Sequence, residues 1–288
     1  GSQEQFNSRF AIPIEMRKDR EASRQLRRLI RPFILRRLKS EVLSELPERT
    51  EITLHVELSE QERLFYEALR RSALDRISQV GGQGPGDARF QVLAEIMRLR
   101  RACCNPRLVM PESPIPSAKL QVFAEVVEEL RENRHKALVF SQFVDHLSLV
   151  REWLDGEKIP YQYLDGSTPI KRRQEAVTAF QAGRGDLFLI SLKAGGAGLN
   201  LTAADYVIHL DPWWNPAVED QASDRAHRIG QQRPVTIYRL VAKETIEDKI
   251  LDLHRHKRDL ADSLLEGAEM SARMGVEEMM ALLREAGT

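Results

Sequence analysis

The amino-acid sequence predicts an α/β fold, with a parallel sheet that carries helices on both faces. From residue 117 onward, helical patterns alternate with short apolar runs such as KALVFS at 136–141 and DLFLIS at 186–191. Runs that are apolar along their whole length are typical of strands in parallel sheets, because helices cover both faces of such sheets. Ligands of open α/β sheets bind beyond the carboxyl ends of the strands, so the residues that follow each run are the first candidates for a site.

The stretch before residue 117 has a different pattern. Residues 16–39 are rich in Arg and Lys and carry apolar residues at helical intervals, which indicates a basic amphipathic segment that is either solvated or phosphate-facing. An alternating apolar strand is predicted at 52–58, and helices follow on both sides of the Gly-rich break GGQGPGD at 81–87. We therefore expect four regions: a basic N-terminal extension at 1–49, a mostly helical unit with one leading strand at 50–116, the α/β domain at 117–245, and C-terminal helices at 246–288.

The composition limits the possible function classes. With 43 basic and 43 acidic residues, the chain of 288 residues has a formal net charge of zero, so any contact with nucleic acid must come from local clusters of positive charge. The sequence has no apolar run of about 18 residues and no signal peptide, which predicts a cytoplasmic protein without membrane contact. The adjacent Cys103 and Cys104 have no further Cys or His at zinc spacing, so no metal site is predicted.

Three of the predicted strands are followed by chemically distinctive residues. Ser141 and Gln142 follow the first strand, SLKAGGAGLN at 191–200 includes the turn after the second, and DPWWNP at 211–216 follows the third. The Gly-rich turn, with Lys193, offers closely spaced backbone N–H groups that suit a phosphate. A tight strand-to-helix turn without a ligand has the same pattern, so spacing alone leaves both interpretations open.

Two nucleotide-binding patterns are absent from the sequence. The Gly-rich turn has Leu201 where the dinucleotide fingerprint needs its third small residue, which disfavours a nicotinamide-dependent enzyme. The chain contains no Gly-Lys and no Asp-Glu dipeptide, so both halves of the usual triphosphate and magnesium machinery are lacking. We therefore expect that this chain does not hydrolyse a nucleotide alone.

Two pairs of side chains have more than one interpretation. Arg225 and Arg228, three residues apart in a helix predicted at 216–228, are expected on one helical face. Planar guanidinium groups can stabilise the charge of phosphoryl transfer, whereas an exposed pair would be neutralised by carboxylates of the same helix. Of the adjacent Trp213 and Trp214, one can lie in the core while the other stacks on a base or on another domain.

In chain order, these stretches resemble the motifs in the C-terminal half of SNF2-type (SWI2/SNF2) helicase-like ATPases. ALVFSQFVDHLSLVREWL at 137–154 resembles motif IV, and ISLKAGGAGLNLTAADYVIHLDPWWNP at 190–216 resembles motifs V and Va. EDQASDRAHRIGQ at 219–231 resembles motif VI. The resemblance implies a RecA-like sheet, the helicase C-terminal lobe, with a helical insertion and an N-terminal extension. It also implies that 1–49 leads from a first lobe and that 246–288 holds a brace helix and tail. The paired tryptophans are similar to those of prokaryotic members.

The resemblance further implies that the chain is the second motor lobe of an ATP-hydrolysing DNA translocase. Arg225 and Arg228 match the arginine fingers that reach ATP on the first lobe, and Gln221 matches the motif VI glutamine beside them. Gly196 and Gly198 would line the cleft between the lobes. ATP and Mg²⁺ would be held mainly by the first lobe, which supplies the Walker A motif and the Asp-Glu-x-His box in this family.

Contacts with double-stranded DNA are implied as well, made mainly to phosphates and therefore with little base specificity. The implied partners are the first lobe of the same protein and duplex DNA, and the implied localisation is cytoplasmic and nucleoid-associated. The residues expected to contact DNA are Ser141, Gln142, Arg173 and Lys193. Those expected to couple the DNA contacts to ATP are Asp211, Trp214 and Asn215.

A second interpretation is a nucleic-acid- or protein-binding regulatory module without catalysis. The neutral charge favours it, and so do methionines near the C-terminus that are expected to be exposed. A protein partner would then dock on the region 50–116 or on the C-terminal helices. The methionines are Met270, Met274, Met279 and Met280.

Overall fold

The chain divides into two units, Gly1–Glu45 and Leu46–Thr288. In the first unit, a short helix α1 (Gln3–Phe6) leads into a π-helical turn (Asn7–Ala11). Most of the basic segment predicted at 16–39 lies outside the described residues. The computed structural model describes residues 3–11, 13, 21, 25–26, 29, 46–79, 85–194, 199–261 and 276–284.

The second unit is built on a six-stranded sheet in which every neighbouring pair is parallel, which confirms the predicted fold class. Its strands are β1 (Arg49–Val56), β2 (Ala137–Ser141), β3 (Tyr161–Leu164), β4 (Leu187–Ser191), β5 (Tyr206–His209) and β6 (Val235–Ala242). The strand order is β1-β6-β5-β2-β4-β3. Every residue of β2 and β4 is buried, because helices cover both faces of the sheet.

Eight α-helices of the second unit lie among the described residues. The helix Glu60–Gln79 begins at a capping box, in which the Glu62 amide donates to Ser59 Oγ at 3.2 Å and the Ser59 amide donates to Glu62 Oε2 at 3.0 Å. None of the described helices has the length and apolar character needed to cross a membrane. The helices are α2 (Glu60–Gln79), α3 (Pro85–Cys104), α4 (Ala118–Glu132), α5 (Val144–Gly156), α6 (Ile170–Gln181), α7 (Pro216–Ser223), α8 (Ile246–Ala261) and α9 (Val276–Arg284).

Alternate side chains of the strands fill two cores on opposite faces of the sheet. Val139 belongs to one core, together with Phe123 of α4. Its neighbour Phe140 belongs to the other, together with Phe180 of α6 and Ala222 of α7. Since successive residues of a strand point to opposite faces, α4 and α5 cover one face of the sheet and α6 and α7 cover the other.

The strand predicted at 52–58 belongs to the main sheet, which corrects the expected division at residue 116. β1 runs parallel to β6 along its whole length, from Arg49 opposite Val235 to Val56 opposite Ala242. It is therefore an edge strand of the α/β sheet and not the leading strand of a separate helical unit. Alternation of apolar residues predicts a half-buried strand but cannot show which distant strand it pairs with.

A third cluster joins helices from both ends of the second unit. Side chains of α2 and α3 pack with side chains of α8 and α9 around buried residues such as Ile96 and Ile250. The Ile246 amide donates to Tyr66 Oη at 2.9 Å, which ties the start of α8 to α2. The predicted regions 50–116 and 246–288 therefore contribute to one helical cluster beside the sheet.

The C-terminal methionines do not form the exposed surface expected from the sequence. Met279 is 1% exposed and belongs to the helical cluster, so the prediction that its side chain is exposed is wrong. Met280 is half-buried against the same cluster. The other two methionines, Met270 and Met274, lie outside the described residues.

Candidate functional site

The carboxyl edge of the sheet brings together the loops that carry the predicted site residues. The segments that follow β2, β3, β4 and β5 begin at Gln142, Asp165, Leu192 and Leu210. β2 lies between β4 and β5 in the sheet, so the loops after these three strands are neighbours. Parallel sheets bind their ligands at this edge.

Lys193 and Arg173 occupy different environments at this edge. Lys193 is exposed in the turn after β4. Arg173, half-buried on α6, donates to the carbonyl oxygens of Thr168 at 2.9 Å, Asp165 at 3.0 Å and Ala194 at 3.0 Å. Its guanidinium group therefore fastens the loop after β3 to the turn after β4, a role that the sequence did not predict. Two predicted cleft residues lie outside the described residues: Gly196 and Gly198.

Ser141, predicted to contact DNA, lies in the protein interior. Its side chain is 1% exposed, and its hydroxyl group donates to the Asp211 carboxylate. The Gln142 amide donates to the same carboxylate at 3.2 Å, and the Phe143 amide donates to Ser141 Oγ at 3.0 Å. A DNA phosphate therefore cannot reach the Ser141 hydroxyl in this structure, whereas Gln142 is half-buried. The Ser141 prediction is corrected accordingly.

Asp211 is a buried carboxylate at the end of β5. Burial opposes its ionisation, but His146, Arg100 and Ser141 together lower the pKa of Asp211 below its ordinary value. The carboxylate thus joins the loop after β2 to the loop after β5 as a charged acceptor. Its predicted coupling role remains a prediction.

The structure separates the two adjacent tryptophans. Trp214 is 8% exposed and belongs to the helical cluster, whereas Trp213 is half-buried between that cluster and the core under α6 and α7. Both rings face the fully buried Arg100 of α3, whose guanidinium carbon lies 5.3 Å from the Trp214 ring centroid and 5.7 Å from the Trp213 ring centroid. Trp214 is therefore the core residue of the pair.

The helix that carries the predicted arginine fingers is shorter than expected. Asn215 Oδ1 accepts a hydrogen bond from the Ala217 amide at 3.1 Å and caps the start of α7. α7 ends at Ser223, so it includes Gln221, which is exposed, but neither arginine. After Asp224 the chain continues in turns as far as residue 230.

Arg225 and Arg228 therefore do not share a helical face, and the prediction that they do is wrong. The Arg225 amide donates to the Ala222 carbonyl, three residues back, at 3.3 Å, so α-helical spacing no longer applies. Arg225 is 7% exposed, with its guanidinium carbon 5.3 Å from the Phe140 ring centroid, and burial lowers its pKa to about 10. Arg228 is exposed, with Nη1 3.4 Å from the Leu199 carbonyl oxygen. The Arg225 guanidinium remains charged at neutral pH, because its pKa stays well above 7.

Carboxylates of α7 anchor this helix to the sheet. Glu219, fully buried, accepts hydrogen bonds from Arg239 Nε at 2.7 Å and from the Trp213 amide at 2.7 Å. Asp220 accepts from Arg49 Nη2 at 2.7 Å. Arg239 also donates to Glu51 at 2.7 Å, so α7, β1 and β6 share one network of charges. Sequence reasoning missed Arg49 and Arg239 because they lie 171 and 20 residues from their partners on α7.

Two histidines attach the arginine turn to the rest of the fold. The Nε2 atom of His227 lies 2.8 Å from the carbonyl oxygen of Pro47, which precedes β1. His209 is the last residue of β5, and its Nε2 atom lies 2.9 Å from Ser223 Oγ at the end of α7. Its ring stacks on the Phe140 ring, with the two centroids 5.5 Å apart. Burial lowers the pKa of His209 to about 4.

The buried His209 predicts a specific dependence of stability on pH. Because His209 is neutral in the fold and titrates near 6.5 when unfolded, the unfolded chain binds the extra proton below that pH. The contribution of the neutral His209 ring to the free energy of unfolding is therefore present above about pH 6.5 and is lost as the pH falls toward 4. Between pH 7 and pH 5 we expect a loss of about 2 kcal/mol in the free energy of unfolding.

Urea unfolding of wild type and His209→Gln at both pH values measures this term. The difference between pH 7 and pH 5 is expected to be about 2 kcal/mol smaller in His209→Gln than in wild type. His55→Gln, which changes an exposed histidine beside Asp248, serves as the control and should follow wild type. An unchanged pH dependence in His209→Gln would show that the buried ring does not titrate as proposed.

Cys104, His146 and Asp211 form the one group of possible metal ligands found among the described residues. Each of the three residues offers one possible ligand atom, and these three atoms lie within 4.8 Å of one another. All three residues are buried. Burial raises the pKa of the Cys104 thiol well above its ordinary value, which disfavours the thiolate that a metal needs. The Arg100 guanidinium lies 4.0 Å from Asp211 and already balances its charge. That no metal binds remains a prediction.

Comparisons with known proteins agree with the motifs. The SNF2-related domain model matches residues 1–108, and the helicase conserved C-terminal domain model matches residues 118–230. A Bacillus subtilis relative, whose name describes an ATP-dependent helicase/translocase, is 35% identical over 298 residues, which covers 100% of this chain and 32% of the relative. The chain spans between about a fifth and a third of the length of curated relatives such as this one.

Solved structures show the same fold. The Sulfolobus solfataricus SWI2/SNF2 ATPase core in complex with dsDNA is 30% identical, with a TM-score of 0.67 over 99% of this chain and 58% of that chain. The C-terminal domain of the same ATPase is 26% identical, with a TM-score of 0.67 over 82% of this chain and 99% of that chain. The six-stranded sheet is thus the RecA-like sheet of a helicase C-terminal domain. The chain belongs to the SNF2 family of helicase-like ATPases.

Proposed function

We propose that this chain is the second motor lobe of an ATP-dependent double-stranded DNA translocase, and that it supplies arginines to ATP held by the first lobe of the same protein. The observation that carries the proposal is a junction between the segment that leads into β5 and the arginine turn that follows α7. The Leu201 amide donates to the Arg225 carbonyl at 3.0 Å, and Arg228 lies beside the Leu199 carbonyl. The segments that resemble motifs V and VI are thus held against each other.

The side chains at this junction suit a triphosphate. Arg228 presents an exposed, planar and permanently charged guanidinium, and Arg225 holds a second one against Phe140. ATP with Mg²⁺ would supply the phosphoryl group that is transferred. Arg228 would neutralise the charge that develops on that group, and Gln221 on α7 would bind beside it. The chain has no Gly-Lys and no Asp-Glu dipeptide, and the remaining phosphate and metal contacts would come from the first lobe.

Duplex DNA would bind along the carboxyl edge of the sheet, through contacts to phosphates. Lys193 supports this proposal because its ammonium group is exposed in the turn after β4. Gln142 and Arg173 lie in or beside the neighbouring loops, and Arg173 would act partly by fixing those loops. Closure of the two lobes on ATP would shift these contacts along DNA, and hydrolysis would release them. Such a motor would work in the cytoplasm on nucleoid DNA.

The salt dependence of DNA binding tests the phosphate contacts. We expect the affinity of the chain for duplex DNA to fall as salt rises, with a log–log slope of about −0.9 for each phosphate neutralised. Lys193→Ala is expected to flatten this slope by about 1, because one cation is lost. Fluorescence anisotropy with a labelled duplex at several salt concentrations measures both slopes.

Lys158→Ala is the matched control for this measurement. Lys158 is also exposed, but it precedes β3 and so lies near the amino ends of the strands, opposite the proposed DNA surface. The salt dependence of DNA affinity in Lys158→Ala should have the same slope as in wild type. Equal slopes for wild type and Lys193→Ala would remove Lys193 from the DNA surface.

Hydrolysis of ATP by the two-lobed protein tests the proposed motor as a whole. We expect turnover that duplex DNA stimulates when both lobes are joined, and no turnover by this chain alone, because the metal-binding machinery is not in its sequence. Absence of DNA-stimulated turnover in the two-lobed protein would contradict the proposal. Turnover by the isolated chain would contradict the division of roles between the lobes.

A regulatory module that binds another protein is the second candidate function. Leu64 on α2 and Phe90 on α3 are 64% and 77% exposed, and exposed apolar side chains on a helical unit suit a protein partner. The DNA titration distinguishes the two candidates. Failure of this chain to bind duplex DNA even at low salt would favour the module, whereas a steep salt slope supports the motor.

A further inference from the structure

Arg100 is a fully buried arginine at the centre of three segments of the fold. It lies on α3, and its guanidinium carbon is 5.6 Å from the ring centroid of Phe143, which follows β2. Trp213 and Trp214, which follow β5, face it at 5.7 and 5.3 Å. We call these three rings the aromatic cage. Arg100 Nη2 also donates to the Pro212 carbonyl at 2.5 Å. The guanidinium therefore holds the loop after β5 in two ways, by contact with the tryptophan rings and by this hydrogen bond.

A buried guanidinium is costly unless its charge and its donors are satisfied. Asp211 lies 4.0 Å away and supplies the nearest carboxylate. The aromatic cage supplies ring faces, which attract a guanidinium more strongly when water is excluded. These contacts all lie on the segment between β5 and α7 or on the start of the loop after β2. The cage therefore fixes the segment between β5 and α7 against α3.

A continuous chain of contacts leads from Arg100 to the arginine turn. Arg100 holds Pro212, and the next residue, Trp213, donates its amide to Glu219 at 2.7 Å. Glu219 lies on α7 and is held in turn by Arg239 of β6 at 2.7 Å. α7 ends at Ser223, and Arg225 and Arg228 follow directly. A shift of the Pro212–Trp213 segment therefore moves the start of α7 and the turn behind it.

We propose that Arg100 is a positioning residue for the arginine fingers: its guanidinium, held in the aromatic cage, fixes the loop after β5 and, through Glu219, sets where Arg225 and Arg228 stand. The inference rests on the proposed function, because it assigns a task to the arginines of that site. The inference makes α3 part of the geometry that positions the arginine fingers.

The test uses steady-state ATP hydrolysis by the two-lobed protein with saturating duplex DNA. Arg100→Met removes the charge and the donors but keeps a long apolar side chain in the cage. We expect kcat to fall about 10- to 100-fold with KM for ATP within twofold of wild type, because small displacements of a catalytic group cost this much. Arg100→Lys should not restore kcat, since an ammonium group lacks the planar fork. Arg107→Met, which removes a surface guanidinium paired with Glu152, is the matched control.

A double-mutant cycle separates positioning from general damage to the fold. In an Arg228→Lys background, Arg100→Met should cause little further loss of kcat, because both changes act through the same fingers. Full multiplication of the two losses, or full activity of Arg100→Met, would overturn the inference. If Arg100→Met does not fold, Glu219→Gln, which interrupts the same chain of contacts, should show the same loss and the same non-additivity.

The outcomes also distinguish this inference from the proposed function. Full activity of the Arg228→Lys single variant would contradict the finger role and therefore the proposed function. A second outcome is that the Arg228→Lys variant hydrolyses ATP slowly while the Arg100→Met and Glu219→Gln variants are fully active. This outcome would leave the proposed function intact and remove only the role of Arg100.

Discussion

Replacing Arg228 with alanine in the two-lobed protein is expected to lower kcat for ATP hydrolysis by roughly 10³-fold or more. Arg228 is exposed and donates to one carbonyl oxygen at 3.4 Å, so its removal should leave the fold nearly unchanged. The loss would come from the charge on the transferred phosphoryl group, which no other exposed side chain of the turn neutralises in the proposed geometry. Steady-state turnover with saturating DNA, together with the thermal unfolding midpoint, measures both effects.

Arg233→Ala is the matched control for Arg228→Ala. Arg233 lies five residues further on, and its side chain is 63% exposed and pairs with Asp205 at 3.3 Å. The variant loses the same charge from the same surface region, and its turnover should stay within twofold of wild type. Wild-type turnover in Arg228→Ala, or an equal loss in Arg233→Ala, would contradict the finger role of Arg228.

Replacing Lys119 with methionine is expected to lower the free energy of unfolding by about 3–5 kcal/mol. Lys119 is 2% exposed, and its ammonium group donates to Glu247 at 2.6 Å and to the Leu210 carbonyl at 2.8 Å. Glu247 is fully buried, and its carboxylate would keep the hydrogen bond from the Ala242 amide at 2.9 Å. The cost arises because the carboxylate loses its counter-charge without regaining water. Urea unfolding at pH 7 measures it.

The double variant Lys119→Met with Glu247→Gln should recover most of this loss, since neither charge then remains buried. Lys243→Met is the control, because Lys243 pairs with Glu57 at 3.0 Å on the surface. Water replaces such a contact, so its removal should have no measurable effect. A loss in Lys119→Met no larger than that in Lys243→Met would show that the buried pair is not a source of stability.

The Lys119–Glu247 pair also bears on the site. Lys119 lies in the first turn of α4 and donates to the Leu210 carbonyl directly before Asp211, while Glu247 lies in the first turn of α8. Arg100 acts on the same loop from α3. Two buried cations from helices outside the sheet, Lys119 and Arg100, therefore hold the loop that leads into α7.

Much of the fold could be predicted from the sequence because its signals are local. The fully apolar runs at 137–141 and 187–191 are strands of the sheet, and the capping box at Ser59 starts α2. These features depend on neighbours a few residues away, so periodicity and spacing reveal them. Lys193 is exposed, as residues in turns after apolar strands commonly are.

Predictions that depended on helix length or on distant partners failed. A helix extended to residue 228 would have placed Arg225 and Arg228 on one face, but tightening after Asp224 buries the first and exposes the second. Ser141 follows an apolar run as a ligand-binding residue would, yet Asp211, 70 residues away, takes its hydroxyl group into the interior. No spacing rule covers such pairings.

The sequence by itself determined the parallel α/β sheet, the order of its elements along the chain and the motifs that identify the SNF2 family. Only the tertiary structure decided that β1 pairs with β6, that Trp214 is the core member of its pair, and that the Arg100 guanidinium lies between aromatic rings from two other segments. The physical reason is the range of the interactions. Backbone hydrogen bonding and apolar periodicity act between near neighbours, whereas buried charges find partners that only the folded chain brings together.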